Sequence, residues 1–140
     1  MFDSNNVTLA KHRMSQAKES LQSAIDTLQS SLKTSVNRSY YAVFYAMRAL
    51  LALESFDSKK HSGIIGTFRQ RFIKTGKLEP ELSDIISAVF DVRSDSDYED
   101  FYVVSDDEAK LQADNAAKFV DAVQNYLDTV LSESNRGTSI

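Results

Sequence analysis

The feature that most constrains this chain is its lack of helix breakers, with one Pro and four Gly in 140 residues. Pro and Gly end helices and shape tight turns, so a chain poor in both is free to run in long helices. Its apolar residues recur at spacings of three and four, the period of an amphipathic helix. The pattern predicts an all-α fold, an up-and-down bundle of about five antiparallel helices with short connections. With 42% hydrophobic residues the chain can bury one core in one domain. That domain is expected over residues 7–131, with 1–6 and 132–140 as flexible termini.

The first helix is expected from about Val7 to Gln29, burying Met14, Ala17, Leu21, Ile25 and Leu28. The second, from about Thr34 to Glu54, carries so few solvated residues that it reads as the central helix. Ser58 is a suitable N-cap for a third helix over about Lys59 to Lys74, which Gly76 should stop. Glu79-Pro80 suits the first turn of a fourth helix with Leu82, Ile85, Ile86, Val89 and Phe90 as its apolar face. The stretch from Arg93 to Val104 has no helical period and reads as an ordered loop. Ser105 with Glu108 forms a capping box opening a fifth helix that runs to about Leu131, with Leu111, Ala116, Val120, Val123, Leu127 and Val130 inward.

Composition removes several function classes. Without Cys there is no disulfide scaffold, thiol nucleophile or Cys-ligated metal site. Two His cannot build a His-rich metal centre. No run of about 18 apolar residues occurs, and the first residues lack a signal-peptide pattern. The expectation is a cytoplasmic protein that does not span a membrane. A net charge of -4 argues against a broad, sequence-blind nucleic-acid coat; a local basic site is compatible with it.

Arg93 is the most informative position. At helical spacing it shares a face with Leu82, Ile86 and Val89. A guanidinium on an apolar face needs an anionic or multi-acceptor partner. That partner is either a carboxylate of the following segment or a bound phosphate. From Asp91 to Glu108 there are eight carboxylates against one Arg. Asp95 and Asp97 lack the ligand spacing and central Gly of a calcium loop, so no metal is expected and the stretch reads as solvated. Asn37, Tyr41, Phe44 and Arg48 share a second face of the middle helix beside Arg38 and Tyr45, a pattern that points to a hydrogen-bonded network. His61 heads the third helix, read either as a first-turn residue bonded to a backbone group or a Tyr, or as a general acid or base.

Four segments carry a family resemblance. Ser39-Tyr40-Tyr41-Ala42-Val43-Phe44-Tyr45-Ala46, inside Asn37-Arg38…Ala49-Leu50-Leu51, resembles the second-helix signature of HEPN domains of the stand-alone bacterial and archaeal branch. Lys60-His61-Ser62-Gly63-Ile64 resembles the start of that branch's third helix. Phe68 to Leu78 and Arg93-Ser94-Asp95-Ser96-Asp97-Tyr98 resemble two further elements, in the right order. The resemblance covers about Leu9 to Leu131. It implies a helical bundle that dimerises, with a groove between the fourth-helix ends. It also implies one of three roles: a metal-independent ribonuclease, a nucleotide binder, or the partner of a minimal nucleotidyltransferase in a toxin–antitoxin pair. The family's ribonuclease signature is an Arg followed after four to six residues by His. Arg93 matches the Arg; no His follows it, and Tyr98 stands at that offset. A tyrosine hydroxyl, with an ordinary pKa of about 10, is a poor base at neutral pH.

Three readings follow. In the first, a homodimeric module binds a nucleotide, an RNA or a nucleotidyltransferase through a groove centred on Arg93, with Asp97, Tyr98, Asn37, Arg38 and Tyr41 as binding residues and no cofactor. In the second, a ribonuclease uses Arg93 with Tyr98 or His61 as catalytic residues. In the third, the bundle is only a dimerisation partner and Arg93 pairs with Asp95 or Asp97, so that losing Arg93 from a buried pair costs about 3–5 kcal/mol.

Overall fold

A computed structural model of the chain describes residues 2–138, with side chains described over 2–135. It is an all-α bundle of five helices: α1 (Ser4–Asp26), α2 (Leu32–Leu53), α3 (His61–Phe68), α4 (Glu81–Tyr98) and α5 (Asp106–Thr138). A 3-10 turn over Thr27–Gln29 follows α1, and a π-helical turn over Arg69–Ile73 follows α3.

The helix ends follow from their capping residues. Asp3 accepts the Asn5 N–H at 2.8 Å and so starts α1 three residues before the expected Val7. Ser31 accepts the Thr34 N–H at 3.2 Å and starts α2. Gly76, at φ +77, takes the left-handed conformation that stops the third segment as expected. Ser58 is not the cap of α3. Its hydroxyl accepts the Lys60 N–H at 3.2 Å inside the preceding turn, and α3 opens at His61 with no side-chain cap. That turn lies so close that a Cβ on Gly63 would stand 2.5 Å from Ser58 Oγ. Only half of the expected capping box forms: Ser105 Oγ accepts the Glu108 N–H at 3.1 Å, while the Glu108 carboxylate takes the Tyr102 hydroxyl instead of closing the box.

Two boundaries differ more. α4 continues through the stretch read as a loop and ends at Tyr98, because Arg93 pairs with Asp97 one turn on and Ser96 turns inward and is buried. α5 runs to Thr138 and not to Leu131. Of the expected flexible termini, residues 1, 139 and 140 lie outside the described residues.

As expected, α2 is central. It packs on α1, α5, α4 and α3 and buries Tyr40, Val43, Met47, Leu50 and Leu51. Around it lie Ile64 and Phe68 of α3, Leu82, Ile86 and Val89 of α4, and Phe119, Val123 and Leu127 of α5. The α1 stripe keeps the expected Met14 and Ala17 but shifts toward Ala10 and Ala24, which are buried, while Ile25 is exposed. Small side chains there and at Ala42, Ala46 and Ala49 let α1 and α2 approach closely. Leu111, expected inward, is exposed and Gln112 is buried in its place.

Candidate functional site

Where α2, the start of α3 and the second half of α4 meet, Tyr40 sits at the centre of a cationic and aromatic cluster. Tyr40 is buried at 1% exposure, as its place in the α2 stripe requires. Its hydroxyl and His61 Nδ1 share a hydrogen bond of 2.8 Å. On its ring lies the Arg93 guanidinium, with Cζ 4.8 Å from the centroid and 5.7 Å from that of Tyr41. Cation–π contacts of this kind contribute about 0.5–1 kcal/mol where water reaches them. Burial pushes the Tyr40 hydroxyl up to about 12, only partly offset by the Arg93 charge, so it stays protonated at neutral pH. Which group donates follows the imidazole tautomer: in the tautomer with its proton on Nε2, the Tyr40 O–H donates to Nδ1 and Nε2 is left for a ligand. Burial, and then the charges of Arg93 and Arg48, hold the His61 pKa below its usual value, so the ring is neutral at pH 7.

Arg93 is held by shape and charge more than by hydrogen bonds. Its Nε lies 3.0 Å from Asp97 Oδ2, but the N–H does not point at that oxygen, and this buried nitrogen has no hydrogen-bond acceptor. The contact is an ion pair between half-buried partners, 18% and 24% exposed. The guanidinium thus rests on an aromatic face, with no hydrogen bond to another group found for it among the described residues.

The sequence-derived residues fall into two groups. Arg93, Asp97, His61, Tyr41, Asn37 and Arg38 come together around Tyr40. Arg38 donates to Asn37 Oδ1 through Nε at 3.1 Å and Nη2 at 2.6 Å, with its Cζ 5.1 Å from the Tyr41 ring. Tyr41 meets His61 edge-on at 6.0 Å. Tyr98 stands apart. At the end of α4 it is 74% exposed, and among the described residues no hydrogen bond, ion pair or ring contact joins it to Arg93. Tyr98 thus lies at the exposed end of α4, outside the contacts that join Arg93, Tyr40 and His61. The sequence reading missed Tyr40 as a site residue, since its spacing marks it as core, which it also is. The available signal was its position directly before Tyr41, opposite a His that heads the next helix.

A second network lies beside the first. Asp57 accepts from Arg13 Nη2 at 3.1 Å and from Arg48 Nη2 at 3.0 Å, and its other oxygen takes the Ser58 N–H at 2.8 Å. This clamp fixes the α2–α3 connection and so the position of His61. No helix among the described residues is long and apolar enough to cross a membrane.

A match to the HEPN domain family spans residues 10–126. The chain belongs to the HEPN family. Among relatives of this HEPN domain, a UPF0332 protein of Thermotoga maritima is 34% identical over 97 residues, covering 69% of this chain and 74% of the relative. "Putative toxin MJ0605" of Methanocaldococcus jannaschii is 31% identical over 116 residues, covering 82% and 86%. "Putative toxin MJ0142" of the same organism is 34% identical over 92 residues, covering 66% of this HEPN domain and 63% of the relative.

Proposed function

We propose that this protein is a toxin-like HEPN module whose Arg93–His61 site grips the phosphate of a nucleotide or an RNA. The observation that carries the reading is the state of Arg93: a guanidinium held over Tyr40, ion-paired to Asp97, whose buried Nε has no hydrogen-bond acceptor among the described residues. Arg is suited to phosphate because its planar fork meets two oxygens at once. His61 Nε2 adds a neutral donor on the other side of Tyr40. A homodimer and a nucleotidyltransferase partner belong to this proposal through family resemblance and the toxin names of two relatives. Light scattering on the purified protein tests the homodimer.

A second reading, metal-independent RNA cleavage, is favoured by one observation: Tyr40 joins Arg93 and His61. An imidazole, able to take or give a proton, is the group such chemistry needs, and it comes here from α3 and not from the residues after Arg93. Labelled RNA incubated in EDTA-containing buffer tests both readings. Cleavage lost in Arg93→Ala and in His61→Ala, and retained in Tyr98→Phe, supports the ribonuclease. Binding without cleavage, lost in Arg93→Ala, supports the binding module alone. RNA and nucleotide binding untouched by Arg93→Ala refutes the site.

A further inference from the structure

The corner between α4 and α5 carries an apolar surface that nothing among the described residues covers. Phe101 is 96% exposed, Val103 84% and Tyr98 74%. One exposed apolar side chain is ordinary; three large ones within six residues of chain mark an interaction surface. They are held outward. Tyr102 and Val104 alternate with Phe101 and Val103 and pack the other way, against Val36 and Ala109, and the Tyr102 hydroxyl donates to the Glu108 carboxylate. The turn before them is closed by the Tyr102 N–H on the Glu99 carbonyl at 3.3 Å and the Glu99 N–H on the Asp95 carbonyl at 3.0 Å.

Charge decides what covers this surface. An open cleft of about 510 Å³ is lined by Asp95, Tyr98, Glu99, Asp100, Phe101 and Tyr102. Among the described residues none of its three carboxylates has an ion pair or a side-chain hydrogen bond. α4 ends here without a basic residue in its last turn, so the negative end of the helix dipole adds to their charge. No group of His, Cys, Asp or Glu among the described residues is gathered to hold a metal ion, so the cation that suits the cleft is a larger one. A guanidinium or ammonium group pairs with carboxylates and lies on aromatic faces, and the Tyr98 and Phe101 rings are free to offer theirs. A nucleic acid, or a second copy placed face to face, would bring like charge onto like charge.

We propose that the α4–α5 corner docks a cationic segment of a partner protein, with an Arg or Lys side chain in the cleft and apolar neighbours on Phe101 and Val103. This does not rest on the phosphate-binding reading of Arg93. The probes are a blocked hexapeptide of alternating Arg and Leu, and the same peptide with neutral citrulline in place of Arg, each titrated into the full chain. Glu99→Gln with Asp100→Asn removes charge, and Phe101→Ser with Val103→Ser removes the apolar surface. All four positions are exposed, and an unchanged melting temperature establishes that both variants fold. The expected result is that the Arg peptide binds several-fold tighter than the citrulline peptide, that added salt weakens it, and that each pair of substitutions weakens it several-fold. No binding of the Arg peptide, binding equal to that of the citrulline peptide, or an affinity that either pair leaves unchanged overturns the proposal. So does light scattering that shows a dimer becoming a monomer on Phe101→Ser with Val103→Ser, because a second copy then covers this face.

Discussion

Replacing Arg93 by Ala separates a ligand-binding arginine from a structural one, and the geometry fixes the size of each effect. Arg93 has two stabilising contacts. The pair with Asp97 is an i,i+4 helix contact between side chains 18% and 24% exposed, a class that contributes about 0.3–0.5 kcal/mol. The contact with Tyr40 at 4.8 Å adds about 0.5–1 kcal/mol. Their loss amounts to about 1 kcal/mol, well under the ~3–5 kcal/mol of a broken buried pair. For a chain of this length that lowers the melting temperature by about 4 °C. Ligand binding should suffer more, since a hydrogen bond to a charged group is worth about 1.5–3 kcal/mol, or roughly 10- to 150-fold in affinity. Thermal unfolding by circular dichroism and titration with labelled RNA read the two effects on one sample. A fall in melting temperature beyond about 10 °C with RNA affinity intact would refute the reasoning, because Arg93 would then be a structural ion.

Other outcomes follow from the same contacts. Tyr40→Phe keeps the ring under Arg93 and removes only the hydroxyl on His61. It should cost about 1 kcal/mol, lower the melting temperature by a few degrees and raise the midpoint of His61 titration by NMR if the lost donor held the ring neutral. Asp57→Ala leaves Arg13, whose side chain is 9% exposed, without its carboxylate, and should cost about 1–2 kcal/mol by chemical denaturation. Stability should fall in two steps as pH drops. The His61 pKa is depressed in the fold by burial and by Arg93 and Arg48, so the unfolded chain takes up the proton first and stability declines from about pH 6.5 downward. At Asp57 burial pushes up, but the Ser58 N–H and the two guanidinium groups outweigh it. Its contribution is present above its ordinary value of 3.8 and is lost as pH falls through the lowered one. His61→Gln should erase the upper step and leave the lower.

The fold was largely legible because period and breakers agree. The α2 stripe, the stop at Gly76 and the Ser105 cap are each local rules obeyed locally. The misreadings arise where a long-range or unlike contact overrides the period. Residues 93–98 look aperiodic by hydrophobicity, yet Arg93 and Asp97 are spaced as a helical ion pair, and that charge pattern was the signal to continue α4. The α1 stripe was placed only in part, at Met14 and Ala17, because small residues such as Ala10 and Ala24, not large ones, mark a close helix pair. Of the site, Arg93 was legible as a cation on an apolar face, and His61 as a first-turn residue bonded to a Tyr. Their meeting through Tyr40 was not, since residues 40, 61 and 93 are brought together only by three packed helices. Tyr98 was chosen by its sequence offset from Arg93; the structure puts it at the exposed end of α4.

The most direct test follows the His61 ring by proton NMR as pH is varied, with and without saturating uridine 3′-monophosphate. A phosphate held between Arg93 and His61 favours the charged imidazole, so the His61 midpoint should start below the ordinary value and move up on ligand addition. A His61 curve unmoved by bound ligand would contradict the account, because the phosphate would then lie somewhere other than on the Arg93–Tyr40–His61 cluster.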